Sequence, residues 1–144
     1  MGNNVSITYE LPAKLNVLNE IDKYIDDFFS NNQLNKYKNK DIAFYINLAL
    51  TEAVANAILH GEKKKKYPQI KIRMNFDGNT IEIKVYSQGK PFKKDDIKKP
   101  NPLSDRGRGL YVINNIMDDL RIKRELDENI LIMKKNIVND KNFA

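Results

Sequence analysis

The sequence predicts an α/β two-layer sandwich, in which helices cover one face of a mostly antiparallel sheet. Residues 70–85 alternate apolar and polar side chains on both sides of a strong turn signal, which is typical of a hairpin with one buried face. Residues 42–58 instead repeat apolar side chains at helical spacing. The element order β-α-α-β-β-loop-α-β-β gives three helices and about five strands, which fit one domain of 144 residues.

The first predicted elements are a strand and a helix. Residues 5–11 alternate apolar and polar side chains, as a half-buried strand does. Pro12 follows where a helix can begin, because a proline in the first turn loses no helical hydrogen bond. We expect this helix to end in the region of residues 31–32. Its apolar positions at helical spacing are Leu15, Leu18, Ile21, Ile25, Phe28 and Phe29.

The second helix is predicted from Asp41, a good N-cap residue, to Gly61, a good C-cap residue. Its apolar side is rich in alanine, so we expect it to pack closely against a neighbouring element. The predicted core positions are Ile42, Ile46, Ala49, Leu50, Ala53, Val54, Ala57 and Ile58.

The rest of the chain predicts the hairpin, a loop, a helix and two further strands. The hairpin turns at residues 77–79. Residues 87–108 have no clear period and hold three prolines and five lysines, which predicts a long loop of functional importance. A third helix should start near Gly109. Residues 120–126 and 130–137 predict the last strands, joined by a turn at residues 127–129.

Composition excludes several classes of function. The chain has one histidine and no cysteine. The lack of cysteine rules out disulfides, thiolate metal sites and cysteine nucleophiles. No run of about 18 apolar residues and no signal peptide is evident, so we expect a cytoplasmic protein without membrane contact. The net charge of +6 comes from 20 lysines against 5 arginines, without interleaved aromatic residues. This pattern disfavours direct nucleic-acid binding.

One polar stripe on the second helix could carry chemistry. Glu52, Asn56 and His60 follow at intervals of four residues and therefore share one face. A carboxylate and an amide on adjacent turns suit a Mg²⁺-nucleotide site, since Glu can polarise a hydroxyl and Asn can offer oxygen to a hard cation. The same spacing also describes the solvated edge of an ordinary helix, and from spacing alone that interpretation is the commoner one.

Two further segments could contact a ligand. The segment RGRGL at residues 106–110 opens the third helix, where glycines allow close approach and a helix N-terminus offers free N–H groups to an anion. Arg106 and Arg108 could add charge neutralisation. The segment SQGKPF at residues 87–92 follows the second hairpin strand and by itself is only a turn.

Together and in this order, these features resemble the three nucleotide-binding boxes of the GHKL ATPase superfamily, which includes histidine kinases, gyrase B subunits, Hsp90 and MutL proteins. The segments ALTEAVANA at 49–57 and GRGLYVI at 107–113 most resemble the stand-alone anti-sigma factor serine/threonine kinases. The resemblance covers nearly the whole chain. It implies that residues 1–144 form a single histidine kinase-like ATPase domain with the Bergerat-type ATP-binding fold.

The resemblance implies a role for each matching position. Glu52 would be the general base that activates the attacking hydroxyl, and Asn56 would hold the Mg²⁺ that bridges the phosphates of ATP. Gly89 would let its turn pass close to adenine, and the loop at about 88–108 would be the lid over ATP. The implied ATP-binding residues are Asn56, His60, Ser87, Gly89, Arg106, Gly107, Arg108, Gly109 and Leu110.

One position departs from the family pattern. Two residues before the turn glycine, the family has an Asp that accepts a hydrogen bond from the amino group of adenine, and this chain has Ser87. A neutral hydrogen bond is worth about 1 kcal/mol, against roughly 1.5–3 kcal/mol for a charge-assisted one. Affinity for ATP could therefore fall roughly tenfold, or selectivity for the base could loosen.

The function implied by the resemblance is an ATP-dependent protein serine/threonine kinase of the partner-switching type. It would act as an anti-sigma factor that binds a sigma factor and phosphorylates an anti-anti-sigma protein of STAS type. Its cofactors would be ATP and Mg²⁺, and the resemblance leaves a homodimer open. The alternative is a degenerate GHKL-fold binding module, which would sequester a regulatory partner without kinase turnover.

Overall fold

The computed structural model describes residues 4–38, 40–59, 69–91 and 108–137. Within these ranges, five strands form one antiparallel sheet and three α-helices pack against one of its faces, which confirms the predicted fold class. The strands in spatial order are β1 (Val5–Pro12), β2 (Gln69–Phe76), β3 (Thr80–Gln88), β5 (Glu128–Asn136) and β4 (Asp119–Glu125). The helices are α1 (Ile21–Phe29), α2 (Asp41–Leu59) and α3 (Arg108–Ile116).

The alternation of side chains decides which face of the sheet is buried. In the register of β2 and β3, Ile72 pairs with Val85 and Met74 pairs with Ile83, and all four side chains are buried. The residues between them, such as Lys84, point to the uncovered face. A slip of one residue would turn the whole apolar set to solvent, so the hydrophobic pattern strongly specifies this register.

Helix α2 is the central helix of the layer and contacts α1, α3, β2 and β3. The predicted alanines Ala49, Ala53 and Ala57 lie on its buried side, which allows neighbouring elements to approach closely. Within the described ranges, α2 is also the one helix long and apolar enough to span a membrane by length and composition. Its buried side packs in the core of this domain, whereas Phe44 and Leu59 on the same helix are exposed.

The first helix differs from its prediction. Residues Leu15–Glu20 form a 3₁₀-helix, and α1 begins only at Ile21. Asn16, Asn19 and the β-branched Val17 all have low helix propensity. A 3₁₀-helix has 3.0 residues per turn rather than 3.6. Val17 is therefore buried, whereas Leu15, a predicted core residue, is 58% exposed.

A second short segment was absent from the prediction. Residues Asn35–Tyr37 form another 3₁₀-helix between α1 and α2. Leu34 and Tyr37 are buried there and pack into the hydrophobic core. The segment is rich in Asn and Lys and carries no clear apolar period, so the sequence offered no signal for it.

The turn between the last two strands lies earlier than predicted. Strand β5 begins at Glu128, so Asn129 lies inside the strand rather than in the turn. The turn is formed by Leu126 and Asp127, and Leu126 has a φ of 54° and is almost fully exposed. A left-handed backbone costs a leucine about 1–2 kcal/mol, so this residue carries no sequence signal for a turn.

The β2–β3 turn is held by the side chain of Asp77. Its Oδ1 accepts hydrogen bonds from the backbone N–H groups of Thr80 at 2.8 Å and Asn79 at 2.9 Å. Gly78 supplies the positive φ of 101° that the turn requires. The two N–H donors, Thr80 first, hold the pKa of the Asp77 carboxyl below its ordinary value of 3.8.

We expect Asp77→Ala to lower the free energy of unfolding by about 1–2 kcal/mol, because two backbone donors lose their acceptor. Asp77→Asn keeps an acceptor oxygen and should lose less. Since the folded-state pKa is lowered, the contribution of the charge is present above 3.8 and is lost as the pH falls through the folded value. Urea unfolding at neutral and acid pH tests this. Equal stability of wild type and Asp77→Ala at pH 7 would contradict it.

Candidate functional site

The side chain of Glu52, in the middle of α2, faces the N-terminus of α3. A β-carbon built on Gly109 would lie 3.1 Å from Glu52 Oε2 and 3.7 Å from the Glu52 carbonyl oxygen. The backbone of α3 therefore passes Glu52 at a distance that leaves almost no room for a side chain. The N–H groups in the first turn of α3 have no intrahelical partner, and their partial positive charge favours an anion nearby.

Asn56 lies one turn further along α2, on the same side as Glu52. Its Nδ2 atom is buried and has no hydrogen-bond partner among the described residues. Buried amide groups are normally paired, so this atom is available to a ligand. Rotation of the amide by 180° exchanges nitrogen and oxygen, and an oxygen at this position is a ligand that Mg²⁺ accepts. Asn56 therefore fits the metal-holding role.

The described residues contain no group of three His, Cys, Asp or Glu side chains that could hold a metal ion. A Mg²⁺ ion at Asn56 would thus draw most of its ligands from water and from the phosphates of a nucleotide. This is the usual manner in which proteins bind Mg²⁺ in nucleotide sites, with one or two protein ligands.

Ser87 and Gly89 mark the end of β3. Ser87 is on the face covered by the helices, 4% exposed, and it pairs in register with Asn129 of β5. The side chain of Ser87 makes no hydrogen bond within the described ranges. Gly89 has a φ of 153°, a backbone conformation that favours glycine. The chain therefore leaves the sheet through a turn that a larger residue would strain.

Two side chains of the β4–β5 hairpin hold this turn, and we call the pair the turn clamp: Arg124 and Asn129. The Nη1 atom of Arg124 donates to the carbonyl oxygen of Gly89, and it donates to Asn129 Oδ1 at 3.1 Å. Asn129 Nδ2 in turn donates to the carbonyl oxygen of Lys90 at 2.8 Å. Asn129 is 1% exposed, so the clamp is anchored inside the domain.

The turn clamp does not follow from the sequence prediction, in which Asn129 belongs to a turn. A signal did exist. Asn129 is in phase with the inward-facing Leu131 and Met133, and a polar residue at an inward position of a strand needs a hydrogen-bond partner. The partners lie 35 to 39 residues earlier in the chain, and spacing alone does not reveal them.

The remaining predicted site residues lie outside the described residues or at the start of α3. His60, Arg106 and Gly107 lie outside the described residues, as do positions 92–107 of the predicted lid. Arg108 is the first residue of α3. The side chain of Leu110 is 2% exposed and belongs to the core, so a ligand could meet this residue only through its backbone.

The fold and the arrangement around Glu52 agree with one known family. The family model of the histidine kinase-like ATPase domain matches residues 11–135, a span that contains every predicted site residue. The chain belongs to this family.

The chain is homologous to proteins named serine-protein kinase RsbW. It is 27% identical over 104 residues to the protein of Bacillus licheniformis, which covers 65% of this chain and 64% of that protein. It is 27% identical over 99 residues to the protein of Bacillus subtilis (strain 168), covering 62% of each. The chain thus spans somewhat less than two thirds of the length of these relatives.

Two solved structures have the same fold. One comprises the RsbU and RsbW domains of Rv1364c from Mycobacterium tuberculosis, with a TM-score of 0.64 and 14% identity over 97% of this chain and 34% of that chain. The other is the catalytic domain of the histidine kinase ThkA, with a TM-score of 0.54 and 18% identity over 90% of this chain and 95% of that chain. At these identities the likeness establishes the fold alone.

The contact between Gly109 and Glu52 predicts an energetic coupling. We expect the change in the free energy of unfolding caused by Gly109→Ala to be less favourable in the wild type than in a Glu52→Ala background, by about 0.5–1 kcal/mol. The reason is that the new methyl group must displace Oε2 only when Glu52 is present. A double-mutant cycle of urea unfolding measures this coupling. Additive effects, within about 0.3 kcal/mol, would show that the carboxylate moves aside freely.

The turn clamp predicts a local loss of order. Arg124→Ala removes both guanidinium hydrogen bonds, so the free energy of unfolding should fall by about 1–2 kcal/mol. Backbone NMR order parameters at Gly89 and Lys90 should drop toward the flexible range, below about 0.6.

Arg121→Ala is the matched control for the clamp, because Arg121 lies on the same strand but is exposed and, among the described residues, bonds only Asp119, at 2.9 Å. It should leave the order of the turn unchanged. An equal effect of both substitutions would show that the turn is ordered by something other than the clamp.

Proposed function

We propose that this chain is an ATP-dependent protein serine/threonine kinase that acts as an anti-sigma factor. The observation that carries the proposal is the position of Glu52 against the N-terminus of α3, with the unpaired amide of Asn56 one turn further along α2, in a domain of the histidine kinase-like ATPase family. Homology to proteins named serine-protein kinase supports the choice of a hydroxyl as the phosphate acceptor. We further propose the cytoplasm as its location.

Glu52 is the proposed general base. Its carboxylate would accept the proton of a serine or threonine hydroxyl on the substrate protein while that oxygen attacks the γ-phosphorus of ATP. The close approach of α3 at Gly109 limits the positions that the carboxylate can take. A base held in this way needs little reorganisation when the substrate arrives, which is the main requirement of a positioned catalyst.

The phosphates of ATP are proposed to lie between α2 and the start of α3. The free N–H groups of the first turn of α3, at Arg108 and Gly109, suit the binding of an anion. Gly107 and the guanidinium groups of Arg106 and Arg108 would add to this charge neutralisation. Asn56 would hold Mg²⁺, which when bound neutralises charge on the phosphates. His60 is proposed as a further ATP-binding residue.

The base of the nucleotide is proposed to lie at the other end of the site, against Ser87 and the turn at Gly89. The turn clamp presents the backbone of this turn in one defined position. A rigid, preformed surface lowers the ordering cost of binding, which favours a flat ligand such as a purine. The residues at about 88–108 would close over the nucleotide as a lid.

The proposed protein partners are a sigma factor and an anti-anti-sigma protein of STAS type. The chain would hold the sigma factor inactive and would release it when the anti-anti-sigma protein binds in its place. Phosphorylation of that protein on serine or threonine would reverse the exchange. Both contacts are protein–protein contacts, and a second copy of the chain could take part in either complex as a homodimer.

A binding module without kinase turnover is the second candidate. The observation that favours it is the neutral Ser87 at the position where the family has a carboxylate. Such a module would sequester the same partner but would not transfer phosphate. Incubation with labelled Mg-ATP and an anti-anti-sigma protein separates the two candidates, because the kinase would transfer phosphate to that protein and the module would transfer none.

We expect Glu52→Gln to keep the affinity for ATP within about threefold and to lower the rate of phosphate transfer by at least about 100-fold, as loss of a general base does. Calorimetry gives the affinity, and transfer of labelled phosphate to an anti-anti-sigma protein gives the rate. Glu10→Gln is the matched control, since Glu10 lies exposed on β1. Unchanged transfer by Glu52→Gln would remove the assignment of the base.

A further inference from the structure

One row of the sheet ends in three polar side chains beside the Gly89 turn. Ser87 of β3 pairs in register with Asn129 of β5, and Asn129 pairs with Arg124 of β4. Ser87 and Asn129 are both buried. None of the three is a carboxylate, so this end of the proposed site offers a hydroxyl, an amide and a guanidinium group.

Two of these side chains are already committed to the protein itself. Asn129 uses its oxygen to accept from Arg124 and its nitrogen to donate to the backbone of Lys90. Arg124 uses Nη1 for the same amide and for the carbonyl oxygen of Gly89. The hydroxyl of Ser87 has no such bond within the described ranges, so this buried hydroxyl is available to a ligand.

We propose that this site does not select for the amino group of adenine and binds guanine nucleotides as well as adenine nucleotides. The proposal rests on the proposed function, which places the base of the nucleotide at Ser87. Adenine carries an amino donor at C6, whereas guanine carries a carbonyl acceptor there. A serine hydroxyl rotates and can accept from the first or donate to the second.

A carboxylate at position 87 would behave differently. An ionised carboxylate only accepts hydrogen bonds, so it would bind the amino group of adenine and repel the carbonyl oxygen of guanine. Buried polar groups that must be left unpaired are the strongest basis for rejecting a substrate. With a hydroxyl, neither base leaves an unpaired group at C6, so we expect wild-type affinities for the two nucleotides to agree within about fivefold.

The experiment is calorimetry of the full chain with non-hydrolysable ATP and GTP analogues in the presence of Mg²⁺. The wild type should bind both with similar affinity. Ser87→Asp should tighten the ATP analogue and weaken the GTP analogue, raising the ATP/GTP affinity ratio at least tenfold. Ser6→Asp is the matched control, because Ser6 lies exposed on β1 and its substitution should leave the ratio unchanged.

The outcomes separate this proposal from the proposed function. A wild type that binds the ATP analogue more than about 50-fold tighter than the GTP analogue overturns the relaxed selectivity and leaves the kinase intact. A wild type that binds neither analogue overturns both. A Ser87→Asp protein that folds and keeps the wild-type ATP/GTP affinity ratio also overturns the proposal, because the base then does not contact position 87. If Ser87→Asp does not fold, the wild-type ratio alone decides.

Discussion

The close approach of α3 to α2 is the constraint on which the site depends. It favours a glycine at 109, because a β-carbon there would lie only 3.1 Å from Oε2 of Glu52. The alanines on the buried side of α2 let α2 itself pack close to the sheet. The carboxylate of Glu52 thereby lies against the positive end of a helix, and the amide of Asn56 lies one turn further along the same side of α2. Each of them alone would be an ordinary surface group.

The two ends of the proposed site are built by different interactions. The end at Glu52 results from helix packing, and its geometry depends on small residues that allow close contact. The end at Ser87 results from strand pairing, and its geometry depends on the turn clamp of Arg124 and Asn129. Helix α2 contacts both β3 and α3, so it connects the two ends.

Sequence patterns succeeded where burial alone determines the structure. The alternation in β2 and β3 and the periodicity of α2 predicted elements that the structure confirms, because one face of each must be apolar. They failed where local conformation competes with that rule. Leu15 follows a helical period but lies in a 3₁₀-helix, and Leu126 forms a turn with a backbone angle unusual for leucine. The family was visible from the motifs, and the match over residues 11–135 confirms it.

The sequence by itself determined the class of fold, the order of its elements, the family and the identity of the main candidate residues. These follow from short-range patterns, since a helical or strand period and a glycine-rich motif are complete within about ten to twenty residues. Only the tertiary structure decided that Gly109 lies against Glu52, that the buried Nδ2 of Asn56 has no partner among the described residues, and that Arg124 and Asn129 hold the Gly89 turn. The contact of Gly109 with Glu52 and the bonds of Arg124 and Asn129 to residues 89 and 90 join positions 35 or more apart. Such pairs meet only when helix packing and strand register are both in place.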